Sequence, residues 1–91
     1  MSSPLLRYQR DSRLPYQEIH GQAVVVVPAR REMHELDEVA TFVWTALAKD
    51  RSVAELVEAL CEEFEVEAET AERDLRDLLA ELEGKGLVLR P

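Results

Sequence analysis

A chain of 91 residues with a hydrophobic fraction of 46% makes one small domain with its own core. No apolar run approaches the roughly 18 residues of a membrane span, because the longest, residues 23–27, has only the length of a strand. The first residues contain no apolar signal stretch, and the single cysteine, Cys61, excludes an internal disulfide. Together these features predict a cytoplasmic protein, kept in a reducing environment.

The net charge of −8 is unevenly distributed along the chain. Residues 1–31 carry five arginines and two acids, a net charge of +3. Residues 32–91 carry six basic and 17 acidic side chains, a net charge of −11. A mainly acidic domain repels phosphate backbones and favours partners with basic surfaces, so the charge argues against nucleic acid as a partner.

The chain divides into a short arm and one domain. Residues 1–13 are polar and have no clear period, which predicts a flexible N-terminal arm before a domain over residues 14–91. A weak alternation over residues 16–20 predicts a first strand, and Gly21 can adopt the positive φ of a tight hairpin. The β-branched run over residues 23–27 predicts the second strand.

A third, far more polar strand is predicted over residues 31–36, where charged side chains surround Met33. A strand this polar belongs at the edge of a sheet, where backbone N–H and C=O groups are unpaired. Two interpretations stay open for it. Its charges can blunt the edge against unwanted pairing, or the edge can add a partner peptide as a further strand, which is called β-augmentation.

Three amphipathic helices are predicted after the strands, from apolar side chains that recur at helical spacing. Asp37 is the predicted N-cap of the first helix, and Ser52 opens the second in a capping box with Glu55. The third helix is predicted to end around residues 84–86, and the apolar residues 87–89 to dock on the core as a short strand or extended segment. The order predicts an α+β domain with a three-stranded antiparallel sheet followed by three helices.

We find no catalytic or metal-binding constellation in the sequence. His34 and Glu35 resemble the start of a zinc-protease helix, but Glu38 stands where the second histidine is required. His20 is the only other histidine, so a zinc site lacks ligands. Cys61 lies on the apolar stripe of the second helix, where core packing is the expected role. We therefore expect a protein that is not an enzyme and that has no cofactor.

Several modest motifs occur in an order and spacing that resemble a known family. They are Leu36-Asp37-Glu38-Val39-Ala40 followed by Trp44, then Ser52-Val53-Ala54-Glu55-Leu56, then Asp74-Leu75 with Leu78-Leu79, and finally Gly86-Leu87-Val88. Over roughly residues 14–89 the chain is similar to the PqqD family, also called precursor-peptide recognition elements. The resemblance implies a winged-helix-like fold. It also implies a non-catalytic domain that binds the leader of a ribosomally synthesised precursor peptide and presents it to a modifying enzyme, often a radical-SAM enzyme.

The resemblance also implies where the leader lies: as a strand added beside the third strand, in a groove walled by the third helix. The strand residues of this site are Arg31, Glu32, Met33, His34, Glu35 and Leu36. The helix residues are Arg73, Asp74, Arg76, Asp77, Leu79 and Ala80. The resemblance does not specify which flank of the third helix faces the groove. It is compatible with either a monomer or a homodimer. Asp37 stands where the family usually has asparagine, and Lys49-Asp50 stands where an Asp-Gly turn is common. Because of these differences, the biosynthetic pathway stays open between PQQ, a lasso peptide and another product.

The fold and charge of the chain allow two other functions besides leader binding to be considered. A winged helix can bind DNA, but the third helix carries six acids against Arg73 and Arg76 and would be repelled by phosphates. An adaptor that binds a folded protein partner is the stronger alternative, because exposed strand edges and acidic faces serve both roles.

Overall fold

The computed structural model describes residues 6–91, which form two small antiparallel sheets and three helices. The elements in chain order are β1 (Arg7–Arg10), β2 (Tyr16–Ile19), β3 (Gln22–Val27), a 3-10 turn (Pro28–Arg30), β4 (Glu32–Glu35), α1 (Glu38–Ala46), β5 (Arg51–Ser52), α2 (Val53–Glu63), α3 (Ala68–Gly84) and β6 (Val88–Leu89). The predicted α+β class is confirmed, with the three predicted strands as β2, β3 and β4 and the closing segment as β6.

The larger sheet is a meander in the order β2-β3-β4. His20 and Gly21 both have positive φ, 55° and 79°, as the two-residue turn of a right-twisted hairpin requires. In β3 the side chains of Ala23, Val25 and Val27 are buried while those between them are partly exposed. This alternation places one face of the sheet on the core and leaves the other to solvent.

The smaller sheet has the order β5-β1-β6 and corrects one prediction. Residues 6–13 are not a loose arm, because β1 pairs with two strands and Tyr8 in it is buried. The backbone N–H of Asp11 further donates to Leu87 O at 3.0 Å. The arm predicted for residues 1–5 lies outside the described residues. A four-residue strand with two-residue partners carries too little periodicity to be recognised locally.

The predicted helix starts are present. Asp37 Oδ1 accepts a hydrogen bond from Ala40 N–H at 2.8 Å, which caps α1. Ser52 and Glu55 form the full capping box of α2, in which each side chain accepts from the backbone N–H of the other. Because each cap satisfies amides that the helix itself cannot, these polar residues define where the helices begin.

A single hydrophobic core lies between the inner face of the larger sheet and the helices. Trp44 is 1% exposed and packs against Tyr16 in a T-shaped arrangement, with the ring centroids 5.5 Å apart. The guanidinium of Arg10 lies over both rings, so β1 also covers this part of the core. Cys61 is a free thiol, half-buried and packed against the core.

Candidate functional site

The strand β4 forms an edge of the larger sheet, since it pairs with β3 alone among the residues described. Leu36, next after β4, donates its N–H to Ala23 O at 2.8 Å. Backbone groups of successive residues in an antiparallel ladder point alternately to the two sides. The N–H and C=O groups of His34 therefore face β3, whereas those of Met33 and Glu35 point to the free side. This edge offers hydrogen bonds to a further strand.

The side chains of β4 also alternate between the two faces of the sheet. His34 lies opposite the buried Val25, and its side chain is half-buried on the helix side with Nε2 3.1 Å from Glu32 Oε1. Met33 lies opposite Val26 on the outer face and is 67% exposed. A strand added along β4 would have the same alternation, so every second side chain would point towards the helices.

A cavity of about 290 Å³ lies next to the point where the chain leaves β4 and enters α1. All three helices and the α2–α3 connection contribute to its wall. The lining residues are Asp37, Val39, Leu60, Phe64, Val66, Ala71, Asp74, Leu75 and Leu78. Two carboxylates are the charged groups in an otherwise apolar lining. The cavity can accept an apolar side chain close to the free backbone edge.

The cavity identifies which flank of α3 faces this region. Asp74 and Leu78, one turn apart, are on the flank that lines it. At about 100° per residue, Arg76 is turned by about 200° from Asp74, onto the opposite flank of the helix. There Arg76 Nη2 forms an ion pair with Glu72 Oε2 at 2.9 Å. Of the six helix residues predicted for the site, Asp74 is the one that contributes to the cavity.

The remaining predicted residues of α3 differ in position. Arg73, Asp77 and Ala80 are exposed and do not line the cavity, so their role in binding stays a prediction. Leu79 is 1% exposed and packs in the core, and its assignment to a peptide contact stays a prediction. Leu79 follows Leu78 in sequence, but its side chain is turned about 100° around the helix axis. That rotation places Leu78 in the cavity lining and Leu79 in the core.

The predicted strand residues are together on β4 and its ends. Leu36 is buried in the core, and its role in peptide binding stays a prediction. Arg31 precedes β4, with a left-handed φ of 54°, and is exposed. Glu32 begins the strand, and its carboxylate contacts His34.

Several lining residues give no sign of a site in the sequence. They lie on the apolar stripes from which the helices are predicted, where they are indistinguishable from core positions: Val39, Leu60, Phe64 and Leu78. The only local signal is that Val39 directly follows two acids at the start of a helix. Their assembly into a cavity depends on how three helices pack, which spacing along one helix does not show.

The carboxyl groups with clearly lowered pKa serve the fold rather than the cavity. Hydrogen bonds from the Arg13 side chain, and then from its backbone N–H, lower the pKa of Asp11. The Ser52 N–H of the capping box lowers the pKa of Glu55. Within residues 6–91 no group of three or more His, Cys, Asp or Glu side chains is arranged to hold a metal ion. Nor is any helix in that range long and apolar enough to cross a membrane.

Comparison with protein families gives a match to the family described as Coenzyme PQQ synthesis protein D (PqqD), over residues 22–88. This range includes β3, β4, all three helices and every residue that lines the cavity. The chain belongs to the PqqD family. The resemblance stated from the sequence motifs is thereby confirmed.

Two relatives from strains of Xanthomonas oryzae pv. oryzae carry the name PqqA binding protein. One is 36% identical over 76 residues, which is 84% of this chain and 80% of the relative. The other is 34% identical over 87 residues, which is 96% of this chain and 90% of the relative. The similarity to these relatives therefore extends over at least four fifths of each chain.

Two solved structures share the fold of this PqqD-family chain. "TbiB1 in Complex with the TbiA(beta) Leader Peptide" has a TM-score of 0.80 and 30% identity, and covers 88% of this chain and 93% of its own. "Lasso peptide synthetase B1 complexed with the leader peptide" has a TM-score of 0.78 and 24% identity, and covers 90% and 96%. At that lower identity the second likeness shows the fold alone.

Proposed function

We propose that this PqqD-family domain binds the leader of a ribosomally synthesised precursor peptide as a strand added to β4, and presents it to a modifying enzyme. The observation that carries the proposal is the free edge at Met33 and Glu35 beside the apolar cavity of α1, α2 and α3. The names of the relatives, which refer to PqqA and to leader peptides, support it.

Strand addition explains why an edge and a cavity should be neighbours. Main-chain hydrogen bonds supply affinity for any extended peptide, and side chains that enter pockets supply specificity. The outward groups of Met33 and Glu35 offer the first, and the cavity at Asp74 and Leu78 offers the second. A peptide that lacks the matching side chain would keep only the affinity that its main-chain hydrogen bonds supply.

The strand β2 is the other free edge of this sheet in the described part of the chain, and it is the less suitable one. The cavity between β2 and the helices is smaller, about 220 Å³, and three glutamates contribute to its lining: Glu18, Glu38 and Glu63. A more acidic site selects apolar side chains less well, because desolvating a carboxylate opposes their burial. We therefore assign the peptide to β4.

The chemistry is proposed to occur on a partner enzyme, of the radical-SAM or another class, in the cytoplasm. Cys61 is a free thiol, which agrees with a reducing compartment. The product class is open between PQQ-type, lasso-type and other ribosomal peptides.

Two copies pairing through β4 would give a homodimer that competes with the leader, and light scattering with and without leader distinguishes these states.

A domain that docks on a folded protein is the second candidate, and one observation favours it. The outer face of the larger sheet exposes Ile19 and Met33, and a cavity of about 280 Å³ lies between them and Pro15. Exposed apolar side chains on a sheet face are typical of protein contacts. Because this face and the β4 edge are distinct, docking of an enzyme and binding of a leader are compatible.

The direct test is calorimetric titration of the domain with the leader peptides encoded beside its gene. We expect one intact leader to bind in a 1:1 complex, at least about tenfold tighter than a scrambled peptide of the same composition, a difference of about 1.4 kcal/mol. The scrambled peptide controls for charge, which it retains. Equal affinity for leader and scrambled peptide would contradict the proposal.

A further inference from the structure

The cavity beside β4 combines a buried apolar wall with an acidic rim. Leu60, Ala71 and Leu75 are buried at its base, whereas Asp37 and Asp74 are exposed. No lysine, arginine or histidine is among its lining residues. The site is therefore asymmetric in charge: it offers burial to an apolar group and negative charge to whatever flanks that group.

Both rim carboxylates can accept further hydrogen bonds. Asp37 Oδ1 is used by the N–H of Ala40, but Oδ2 has no hydrogen bond within residues 6–91. Asp74 Oδ1 is 3.6 Å from Arg73 Nε, beyond hydrogen-bonding distance, and both side chains are mostly exposed. Such an exposed pair contributes little and is readily exchanged for a better partner.

The surroundings reinforce the negative charge of the rim. Exposed glutamates adjoin the lining residues in sequence on two sides: Glu38 beside Val39, and Glu65 between Phe64 and Val66. Residues 32–91 as a whole carry a net charge of −11. Clefts lined by one sign of charge with apolar walls concentrate ligands of the opposite sign.

We infer that the leader selected by this domain carries a lysine or arginine within two positions of a bulky apolar residue. The inference rests on the proposed function and specifies its ligand. The apolar side chain fills the cavity, and the cation meets Asp74 or Asp37 at the rim. Acidic residues at the same position are rejected by like charge.

Size and strand geometry agree with this pattern. A cavity of roughly 150 Å³ lined by Leu, Ile and Phe holds a benzene molecule, and the present cavity of about 290 Å³ is larger. In an added strand, residues two apart have side chains on the same face at about 6–7 Å spacing. That spacing allows one side chain to enter the cavity while the next on that face stays at the rim.

The inference can be tested without knowing the natural leader, by selection from a displayed library of random peptides on the immobilised domain. We expect the enriched sequences to combine a large apolar residue with lysine or arginine within two positions. Asp74→Asn should weaken binding of the best selected peptide roughly two- to fivefold at low salt, and less at raised salt. Glu58→Gln, which neutralises an exposed carboxylate of α2 outside the cavity, is the matched control and should have no effect.

A charge exchange completes the test. Asp74→Lys should weaken the lysine-containing peptide, and changing that peptide lysine to glutamate should restore binding to the variant but not to the original domain. Selected peptides without enriched bases, or equal losses for Asp74→Asn and Glu58→Gln, would overturn the inference and leave leader binding intact. If neither library peptides nor neighbouring leaders bind, both the inference and the proposed function are wrong.

Discussion

At the residue scale, the two kinds of position on β4 have different roles because of the direction of their amides. Met33 and Glu35 direct backbone groups to the free side, and His34 directs its own to β3. Removing the N–H of Met33 or Glu35 should therefore affect binding, whereas removing that of His34 should affect folding.

Met33→Pro should weaken leader binding at least about tenfold, or about 1.4 kcal/mol, because proline removes an N–H that the added strand would use. Met33→Ala controls for loss of the side chain. Glu18→Pro is the control for position, because it removes an N–H from the unpaired edge of β2 instead of β4. Circular dichroism should remain unchanged for Met33→Pro, whereas His34→Pro should destabilise the sheet. The groove assignment fails if binding withstands Met33→Pro and Glu35→Pro, or if Glu18→Pro is as damaging.

Core residues should respond in stability rather than in binding. Trp44→Ala and Leu75→Ala should each lower the free energy of unfolding by roughly 2–5 kcal/mol, since both side chains are 1% exposed and leave cavities. Cys61→Ser should cost less, because Cys61 is only half-buried, and should leave the chemistry of a partner enzyme unaffected. Urea unfolding measures the stability of each variant, and a product assay measures the activity of the partner enzyme. A stable serine variant that abolishes product would show that Cys61 is more than packing.

At the scale of elements, polar anchors fix the ends of strands and helices. Asp11 is buried just after β1 and is held by Arg13, whose Nη2 is 2.9 Å from Asp11 Oδ2. Glu55 closes the capping box at the start of α2. Because hydrogen bonds to the charged carboxylates lower the pKa of both groups, these anchors couple the stability of the elements to pH.

Stability should therefore fall in acid. In the folded state Asp11 and Glu55 bind protons less readily than in the unfolded state, where the pKa values are near 3.9 and 4.3. Their contribution is complete above those values and is lost as pH falls through the lower folded values. Urea unfolding should show a shallower acid dependence below about pH 4 for Asp11→Asn than for the original chain. Equal slopes for Asp11→Asn and the original chain would contradict this account.

At the scale of the whole molecule, β1 connects parts of the chain that are far apart in sequence. It pairs with β5 before α2 and with β6 at the end of the chain, and Arg10 covers Tyr16 and Trp44. The smaller sheet thereby covers the part of the core around Trp44. Losses in this sheet should reduce stability without changing the binding edge.

Tyr8→Ala tests this role. Tyr8 is 7% exposed, and its removal should lower the free energy of unfolding by roughly 2–5 kcal/mol through lost burial. The folded variant should bind a leader as the original does, because β1 does not line the cavity beside β4. Gln9→Ala, in the same strand but half-buried, is the milder control for urea unfolding. A Tyr8 variant as stable as the original would restore the interpretation of residues 6–13 as a loose arm.

The sequence by itself determined what depends on local chemistry. Asp37 as N-cap, Ser52 with Glu55 as a capping box, and Gly21 in a hairpin turn were predicted and are found, because each acts within a few residues of its own position. The polar character of β4 likewise predicted an edge strand, and the order of motifs indicated the PqqD family.

Only the tertiary structure decided what depends on distant segments. The strand β1 exists through pairing with two-residue partners some 40 and 80 positions away, for which no local pattern is required. The side of α3 that lines the cavity, Asp74 with Leu78 rather than Arg76 or Leu79, follows from the rotation of one packed helix. A helical stripe shows that one face is buried, but residues at its margins become core or cavity only when the neighbouring helices are in place.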